Sequence, residues 1–209
     1  MYSAIFWDND GILMETEHLY YQANAEALAR VGVELPLDIF RQVSLRQGES
    51  VLKMAAGKGD EQELRRWRDT RYLDLLAEES KVIPGVRETL ATLHGRLPMA
   101  VVTSSRREHF YRMHQQSGLL DFFDFILTRE DYVNSKPDPE PYLTACARVG
   151  LPPGACVAVE DSVRGVTAAV QAGLAVAAIP GSMNHGGDFS AARWQLESVR
   201  QLPALIAVD

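Results

Sequence analysis

Two aspartates, Asp8 and Asp10, follow the first apolar run of the chain with one residue between them. Carboxylate oxygens suit Mg²⁺, and one carboxylate can also act as a nucleophile. A second acid in a different environment can serve as general acid and base. Gly11 allows the tight turn that would aim both acids at one point. Alone, the pattern is equally typical of an ordinary turn after a strand.

Hydroxyl groups and a lysine follow the second and third apolar runs. Thr103, Ser104 and Ser105 could cradle a phosphate with their hydroxyl and backbone N–H groups, although on its own this triplet favours helix capping. Lys136 lies in a segment, 135–141, in which alternating prolines stiffen the chain. A lysine fixed there could place a positive charge against an oxyanion, although a single lysine is more often a solvated surface residue.

Adjacent acids, Glu160 and Asp161, end the fourth apolar run. Burying them is costly unless a cation or hydrogen bonds compensate the charge, which favours a metal site over N-capping by Asp161 or Ser162. All four groups end predicted strands or lie in the loops that follow. That edge is where open parallel sheets bind ligands, so the combination is much stronger than its parts.

The elements that must position these residues are short apolar runs separated by helical patterns. The runs are continuous rather than alternating, as in strands buried on both faces, and cover 4–7, 99–102, 125–127, 157–159 and 175–179. Helices are predicted over 86–93, 107–117, 140–149 and 163–172, with a short one after Glu197. Strands alternating with helices predict an α/β fold with a Rossmann-like, doubly wound parallel sheet.

The stretch between the first two runs is far longer than one crossover helix requires, and its pattern is helical. One apolar stripe includes Tyr20 and Leu28, and another includes Leu64 and Leu75. We therefore predict a small all-helical cap domain, residues 15–82, inserted after the first strand of a core formed by residues 1–14 and 83–209.

Composition limits the function classes. The chain has 209 residues, a formal net charge of -7 and a pI near 5.3, which disfavours nucleic-acid and anionic-membrane partners. Cys146 and Cys156 fit buried apolar positions better than a disulfide framework. No apolar stretch is long enough to span a bilayer, and the N-terminus has no signal-peptide pattern, so a cytoplasmic protein is expected.

The order Asp-x-Asp-Gly, Thr-Ser, Lys-Pro and Glu-Asp resembles the haloacid dehalogenase superfamily of phosphatases. The helical insert resembles the subfamily with a helical C1 cap, which includes beta-phosphoglucomutase and its phosphatase relatives. The resemblance implies that Asp8 is the nucleophile and Asp10 the general acid and base. It implies that Thr103 and Ser104 hold the phosphoryl group, and that Lys136 neutralises charge. It gives Mg²⁺ four ligand residues: Asp8, Asp10, Glu160 and Asp161.

The expected function is hydrolysis of a small phosphate monoester, such as a sugar phosphate, by a monomer. A sugar-phosphate mutase is the alternative within the family. Such mutases resemble this chain but carry a histidine in the first cap helix, where this chain has Tyr20, with His18 two residues earlier. Arg46 and Lys53 match the mutases' phosphate-gripping cap arginine only weakly. A non-catalytic binder of phosphorylated metabolites is the alternative of another class.

Other polar residues are given structural interpretations. Asn9 stands where an apolar residue is commoner in the family, and Glu15 replaces a more usual aspartate. The histidines at 94, 109 and 114 are interpreted as surface or packing residues, and Asn184 and His185 as ordinary loop residues. The arginines at 65, 66, 68 and 71 are interpreted as one solvated helix face.

Overall fold

The computed structural model describes residues 2–184 and 186–206. Its strands are β1 Ala4–Trp7, β2 Met14–Glu15, β3 Lys81–Val82, β4 Met99–Val102, β5 Phe125–Leu127, β6 Cys156–Glu160, β7 Ala175–Ala178 and β8 Trp194–Gln195. Its α-helices are α1 Glu17–Ala29, α2 Leu37–Phe40, α3 Glu61–Glu79, α4 Val86–Leu93, α5 Arg107–Met113, α6 Glu140–Val149, α7 Val163–Gln171 and α8 Leu202–Ile206.

The main sheet has six strands in the order β5-β4-β1-β6-β7-β8, and every neighbouring pair is parallel. This confirms the predicted doubly wound α/β fold. All five predicted runs form strands. The sixth strand, β8, was not predicted because it has only two residues, of which Gln195 is exposed, and so lacks an apolar run.

Strand β1 lies at the centre of the sheet between β4 and β6. The chain leaves β1 toward one side of the sheet, through β4 and β5, and leaves β6 toward the other, through β7 and β8. The carboxyl ends of β1 and β6 therefore form the crevice where the strand order reverses, which is the usual ligand position in such sheets.

Alternate residues of β1 divide the core between the two faces of the sheet. Ile5 and Trp7 belong to one buried apolar cluster, and Ala4 and Phe6 belong to another. All four side chains are at most 1% exposed. Burial on both faces explains why the strands appear as continuous apolar runs in the sequence.

A two-stranded antiparallel ribbon, in which Met14 pairs with Val82, leads into and out of helices α1 to α3. The predicted boundaries, between residues 14 and 15 and between 82 and 83, fall in this ribbon. A third apolar cluster lies within the helical segment and includes Leu28 and Phe40. Leu75, however, packs in the cluster that contains Ile5, so α3 also contributes to the sheet's core. That residues 15–82 act as a separate cap stays a prediction.

Candidate active site

Lys136 lies at the centre of the carboxyl edge of the sheet. Its Nζ atom donates to Asp8 Oδ1 at 2.7 Å, to Glu160 Oε1 at 2.6 Å and to the carbonyl oxygen of Val102 at 2.8 Å. These bonds use all three ammonium protons and connect the ends of β1, β4 and β6. The Tyr142 hydroxyl, from α6, also donates to Glu160 Oε1. The lysine is 4% exposed and is therefore not the solvated residue that its sequence context alone favoured.

Three carboxylates form a compact group beside this lysine. Ligand oxygens of Asp8, Glu160 and Asp161 lie within 4.8 Å of one another in the described part of the chain. Asn184 Nδ2 donates to Asp161 Oδ2 at 2.7 Å and to Glu17 Oε1 at 3.0 Å. Asn184 therefore contacts this site and is not an ordinary loop residue. Its neighbour at position 185 lies outside the described residues.

The charges of this group do not balance. Burial, followed by the nearby charge of Glu160, raises the pKa of Asp8 to about 8 despite the contact with Lys136. Burial, followed by the charge of Glu17, raises the pKa of Asp161 well above its usual range. Burial alone would lower the pKa of Lys136, but the charges of Asp8 and Glu160 hold it well above its ordinary value. One ammonium cannot compensate this many carboxylates, so the site fits an additional hard cation such as Mg²⁺.

The Asp10 side chain accepts hydrogen bonds from four donors, none of which belongs to the three-carboxylate group. Thr16 Oγ1 donates to its Oδ1 at 2.5 Å. Its Oδ2 accepts from Ser105 Oγ at 2.7 Å, from Asn9 Nδ2 at 3.2 Å and from Thr103 Oγ1 at 3.4 Å. The two aspartates thus occupy different environments, as a nucleophile and a separate general acid require. A metal role for Asp10, which would have to use its carbonyl oxygen, stays a prediction.

Two glycines allow this close packing. Gly11 has a φ of +81°, and a Cβ there would collide with the Asp161 carboxylate. A Cβ on Gly165, in α7, would collide with the Glu160 carboxylate. Side chains at either position would therefore displace an acid of the site.

A cavity of about 440 Å³ lies between the sheet edge and helices α1 and α3. Asp8, Thr103 and Ser104 line it from the sheet, whereas Tyr20 and Arg68 line it from the helices. Thr103, whose hydroxyl was predicted to bind phosphate, is buried, whereas Ser104 beside it is exposed. The sequence thus identified residues that the fold does bring to one cavity.

The interpretation of Arg68 as part of a solvated helix face was wrong. The residue is 5% exposed, and its side chain donates from Nη1 to the Tyr20 hydroxyl at 2.7 Å and to Asn24 Oδ1 at 3.1 Å. Its Nε donates to Asp69 at 2.7 Å. The four-arginine cluster in the sequence concealed it, because only tertiary packing distinguishes Arg68 from exposed Arg66.

Ser105, predicted with Thr103 and Ser104 as part of the phosphate cradle, donates its hydroxyl to Asp10. Two other residues of the site were missed because they have no sequence signal of their own. Thr16 binds Asp10 from the start of the helical segment, and Tyr142 reaches Glu160 from α6. Each is an ordinary residue at a helix end or on a helix, and only the fold directs it toward the acids.

The family model described as haloacid dehalogenase-like hydrolase matches residues 5–179. The chain belongs to this family. The sequence-based recognition is thereby confirmed. None of the helices in the described part of the chain has both the length and the apolar character needed to cross a membrane.

Relatives cover nearly the whole chain. Protein CbbY from Rhodobacter capsulatus is 32% identical, over 92% of this chain and 92% of its own. The phosphorylated carbohydrates phosphatase of Thermotoga maritima is 32% identical, over 82% of each. The crystal structure of a CbbY variant from Rhodobacter sphaeroides, in complex with xylulose-1,5-bisphosphate, superposes with a TM-score of 0.85 at 28% identity, over 97% of this chain and 96% of that one.

Proposed function

We propose that this protein is a magnesium-dependent phosphatase that hydrolyses small phosphorylated carbohydrates through an aspartyl-phosphate on Asp8. The observation that carries the proposal is the arrangement at the end of β1. Asp8 faces Lys136 and two further acids, whereas Asp10 faces hydroxyl and amide donors. Phosphoryl transfer needs a nucleophile next to a bound cation and a general acid that is positioned separately. Asp8 and Asp10 meet these two needs.

In the first step, an Asp8 oxygen bonds to phosphorus while the bond from phosphorus to the ester oxygen breaks. Asp10 donates its proton to that departing oxygen, which leaves as an alcohol. In the second step, Asp10 takes a proton from water, and the water oxygen attacks phosphorus and displaces the Asp8 carboxylate. Phosphate is released, and Asp10 again carries its proton. Thr103 and Ser104 hold the transferring group by hydrogen bonds.

The residues that would hold the metal are Asp8, Glu160 and Asp161, with the carbonyl oxygen of Asp10. Bound there, Mg²⁺ supplies positive charge that polarises a phosphoryl oxygen and compensates the carboxylates. Lys136 supplies a second positive charge at Asp8 Oδ1, so that an anionic carboxylate can approach an anionic ester.

The substrate class follows from the relatives and the cavity. A named relative acts on phosphorylated carbohydrates, and another was crystallised with a ketose bisphosphate. The cavity has polar side chains from both regions, including Tyr20, Arg68 and His109, which suit hydroxylated leaving groups. The helical segment, as a cap, would exclude bulk water and select among sugars.

Hydrolysis is favoured over the mutase reaction because the structure places no histidine of α1 in the cavity. Tyr20 lines it instead, with its hydroxyl bonded to Arg68, and His18 is exposed to solvent. His109, from α5, lines the cavity but stacks edge-on against Tyr72.

The test is phosphate release from a panel of hexose, ketose and pentitol phosphates, with and without Mg²⁺, for the wild type and Asp8→Asn. Asp121→Asn, at an exposed acid, is the matched control. We expect metal-dependent release that falls by at least about 10³-fold in Asp8→Asn and is unchanged in Asp121→Asn. Intact-mass measurement after mixing with substrate should show a phosphate adduct only where Asp8 is present.

The other outcomes separate the alternatives. Conversion of beta-glucose 1-phosphate to glucose 6-phosphate in the presence of a bisphosphate, without phosphate release, would establish a mutase. Binding of phosphorylated metabolites with neither reaction would establish a binding protein. Release undiminished in Asp8→Asn would exclude the mechanism proposed here.

A further inference from the structure

A chain of buried polar side chains extends from Asp10 into the protein, away from the cavity. Asn9, His114 and Ser117 are 0%, 4% and 4% exposed. Helix α5, predicted to continue to residue 117, ends at Met113, and His114 and Ser117 lie in the turn that follows. Buried polar groups are costly unless fully hydrogen-bonded, so their partners are informative.

Three consecutive hydrogen bonds connect this chain. Asn9 Nδ2 lies 3.2 Å from Asp10 Oδ2, Asn9 Oδ1 lies 2.8 Å from His114 Nε2, and His114 Nδ1 lies 2.8 Å from Ser117 Oγ. Asn9 Nδ2 also lies 2.9 Å from the sulfur of Met113, a weak acceptor. The side-chain nitrogen and oxygen of Asn9 therefore both have partners.

The direction of the bonds follows from the chemistry of the partners. The Asp10 carboxylate accepts hydrogen bonds, so the Asn9 amide must present its NH₂ group to it and its oxygen to His114. That oxygen needs an N–H donor, which places the imidazole proton on Nε2. Burial lowers the pKa of His114 to about 4, so Nδ1 carries no proton at neutral pH and accepts from the Ser117 hydroxyl.

All three donors consequently point toward Asp10. Ser117 donates to His114, His114 to Asn9, and Asn9 to Asp10 Oδ2, and such aligned bonds strengthen one another. Without the histidine, the amide could rotate and present its oxygen to the carboxylate, which would repel it. His114 thus determines that the NH₂ group of the Asn9 amide, and not its oxygen, faces Asp10.

We propose that Asn9 and His114 are positioning residues for Asp10: they hold its carboxyl group in the orientation that protonates the leaving oxygen. The inference rests on the proposed function, since it assigns these residues to the acid of that reaction. Ser105 binds Asp10 from the lining of the cavity, whereas Asn9, His114 and Ser117 do not line it.

A variant that displaces the general acid can be distinguished by its kinetics from a variant that is merely misfolded. An alkyl ester, such as a sugar phosphate, needs its leaving oxygen protonated, whereas p-nitrophenolate leaves without a proton. The ratio kcat/KM covers the steps through phosphoryl transfer and is independent of the later hydrolysis of the aspartyl-phosphate. A displaced acid should therefore lower kcat/KM for the sugar phosphate selectively.

The experiment measures kcat/KM, with Mg²⁺, for the best sugar phosphate of the panel and for p-nitrophenyl phosphate. The variants are Asn9→Leu, His114→Leu and His114→Gln. Loss of one hydrogen bond to the Asp10 carboxyl group predicts that kcat/KM for the sugar phosphate falls about three- to tenfold in both leucine variants. For p-nitrophenyl phosphate it should change less than about twofold. His114→Gln retains an N–H donor at the same place and should stay within about twofold of wild type on both substrates.

The double variant Asn9→Leu/His114→Leu removes the amide and the imidazole together, while the Ser117 hydroxyl keeps the backbone carbonyl oxygen of residue 114 as an acceptor. It should lose about as much kcat/KM as Asn9→Leu alone, because both changes break one chain. Equal losses on the two substrates, a fully additive double variant, or failure of glutamine to restore activity would each overturn the proposal. These outcomes differ from the one expected if the proposed function itself is wrong, because the wild type would then release no phosphate.

Discussion

The sheet edge and the helical segment each bury one basic side chain, but the two environments differ in their charge balance. At the edge, Lys136 meets Asp8 and Glu160, with Asp161 beside them. In the helical segment, the guanidinium of Arg68 meets one carboxylate and two neutral oxygens. The first site has an excess of negative charge, whereas the second is compensated.

This difference separates a site that requires an added cation from one that does not. The buried guanidinium of Arg68 is already compensated; it joins α1 to α3 and also lines the cavity. An excess of buried carboxylates is unfavourable to the apoprotein and becomes favourable when a cation or a phosphoryl group arrives. Four measurements can test this difference in charge balance.

Replacing Lys136 by methionine should have the largest effect. It leaves Asp8 and Glu160 buried without their cation, so we expect a loss of about 3–5 kcal/mol in the free energy of unfolding and of at least about 10³-fold in kcat. Chemical denaturation and phosphate-release assays measure the two effects. Lys58→Met, at an exposed lysine, is the control and should change neither. If Lys136→Met left the free energy of unfolding unchanged in metal-free buffer, Lys136 could not be the cation that compensates Asp8 and Glu160.

Replacing Arg68 by alanine should destabilise the helical segment by about 2–3 kcal/mol, because it leaves the partners of the guanidinium unpaired and removes its packing. Arg66→Ala, on the exposed face of the same helix, should change the free energy of unfolding by less than about 0.5 kcal/mol. Added Mg²⁺ should not restore the Arg68 variant selectively. If Arg68→Ala and Arg66→Ala lowered the free energy of unfolding equally, Arg68 would have to be interpreted as part of the solvated helix face.

Gly165→Ala should lower stability by about 1–3 kcal/mol, although alanine favours helices, because its Cβ would collide with the Glu160 carboxylate. Gly154→Ala is the matched control, since a Cβ there would meet nothing within 4 Å. Thermal unfolding with and without Mg²⁺ should show that only the Gly165 variant also loses stabilisation by the metal. A neutral substitution at position 165 would mean that the glutamate can move freely.

The pH dependence of stability should show the excess of carboxylates directly. The pKa of Asp8 is about 8 in the folded protein and near its ordinary value of 3.8 after unfolding. Between pH 7 and 9, the folded state therefore binds more protons than the unfolded state, and metal-free stability falls as pH rises.

Saturating Mg²⁺ should reduce this fall, because it binds the deprotonated folded site and stabilises it by mass action. Differential scanning calorimetry at pH 7, 8 and 9 checks both statements. A midpoint that rises over this range without metal would contradict the assignment for Asp8.

The sequence by itself determined the fold class and the residues that end the strands. Asp8, Thr103 and Glu160 could be grouped without coordinates because parallel strands bring their carboxyl ends to one edge. Continuous apolar runs reveal such strands, since both of their faces are buried. Lys136 could be added because its stiff loop follows a strand of the same sheet.

Only the tertiary structure decided which ordinary residues join that edge. Asn184 reaches Asp161 from the loop after β7, and His114 reaches Asn9 from beyond the end of α5. Arg68 is separated from its exposed neighbours only by the packing of α3 against α1. Strand ends are positioned by local chain direction, which the sequence encodes. Contacts between a side chain and a distant turn depend on how whole elements pack, which no local pattern records.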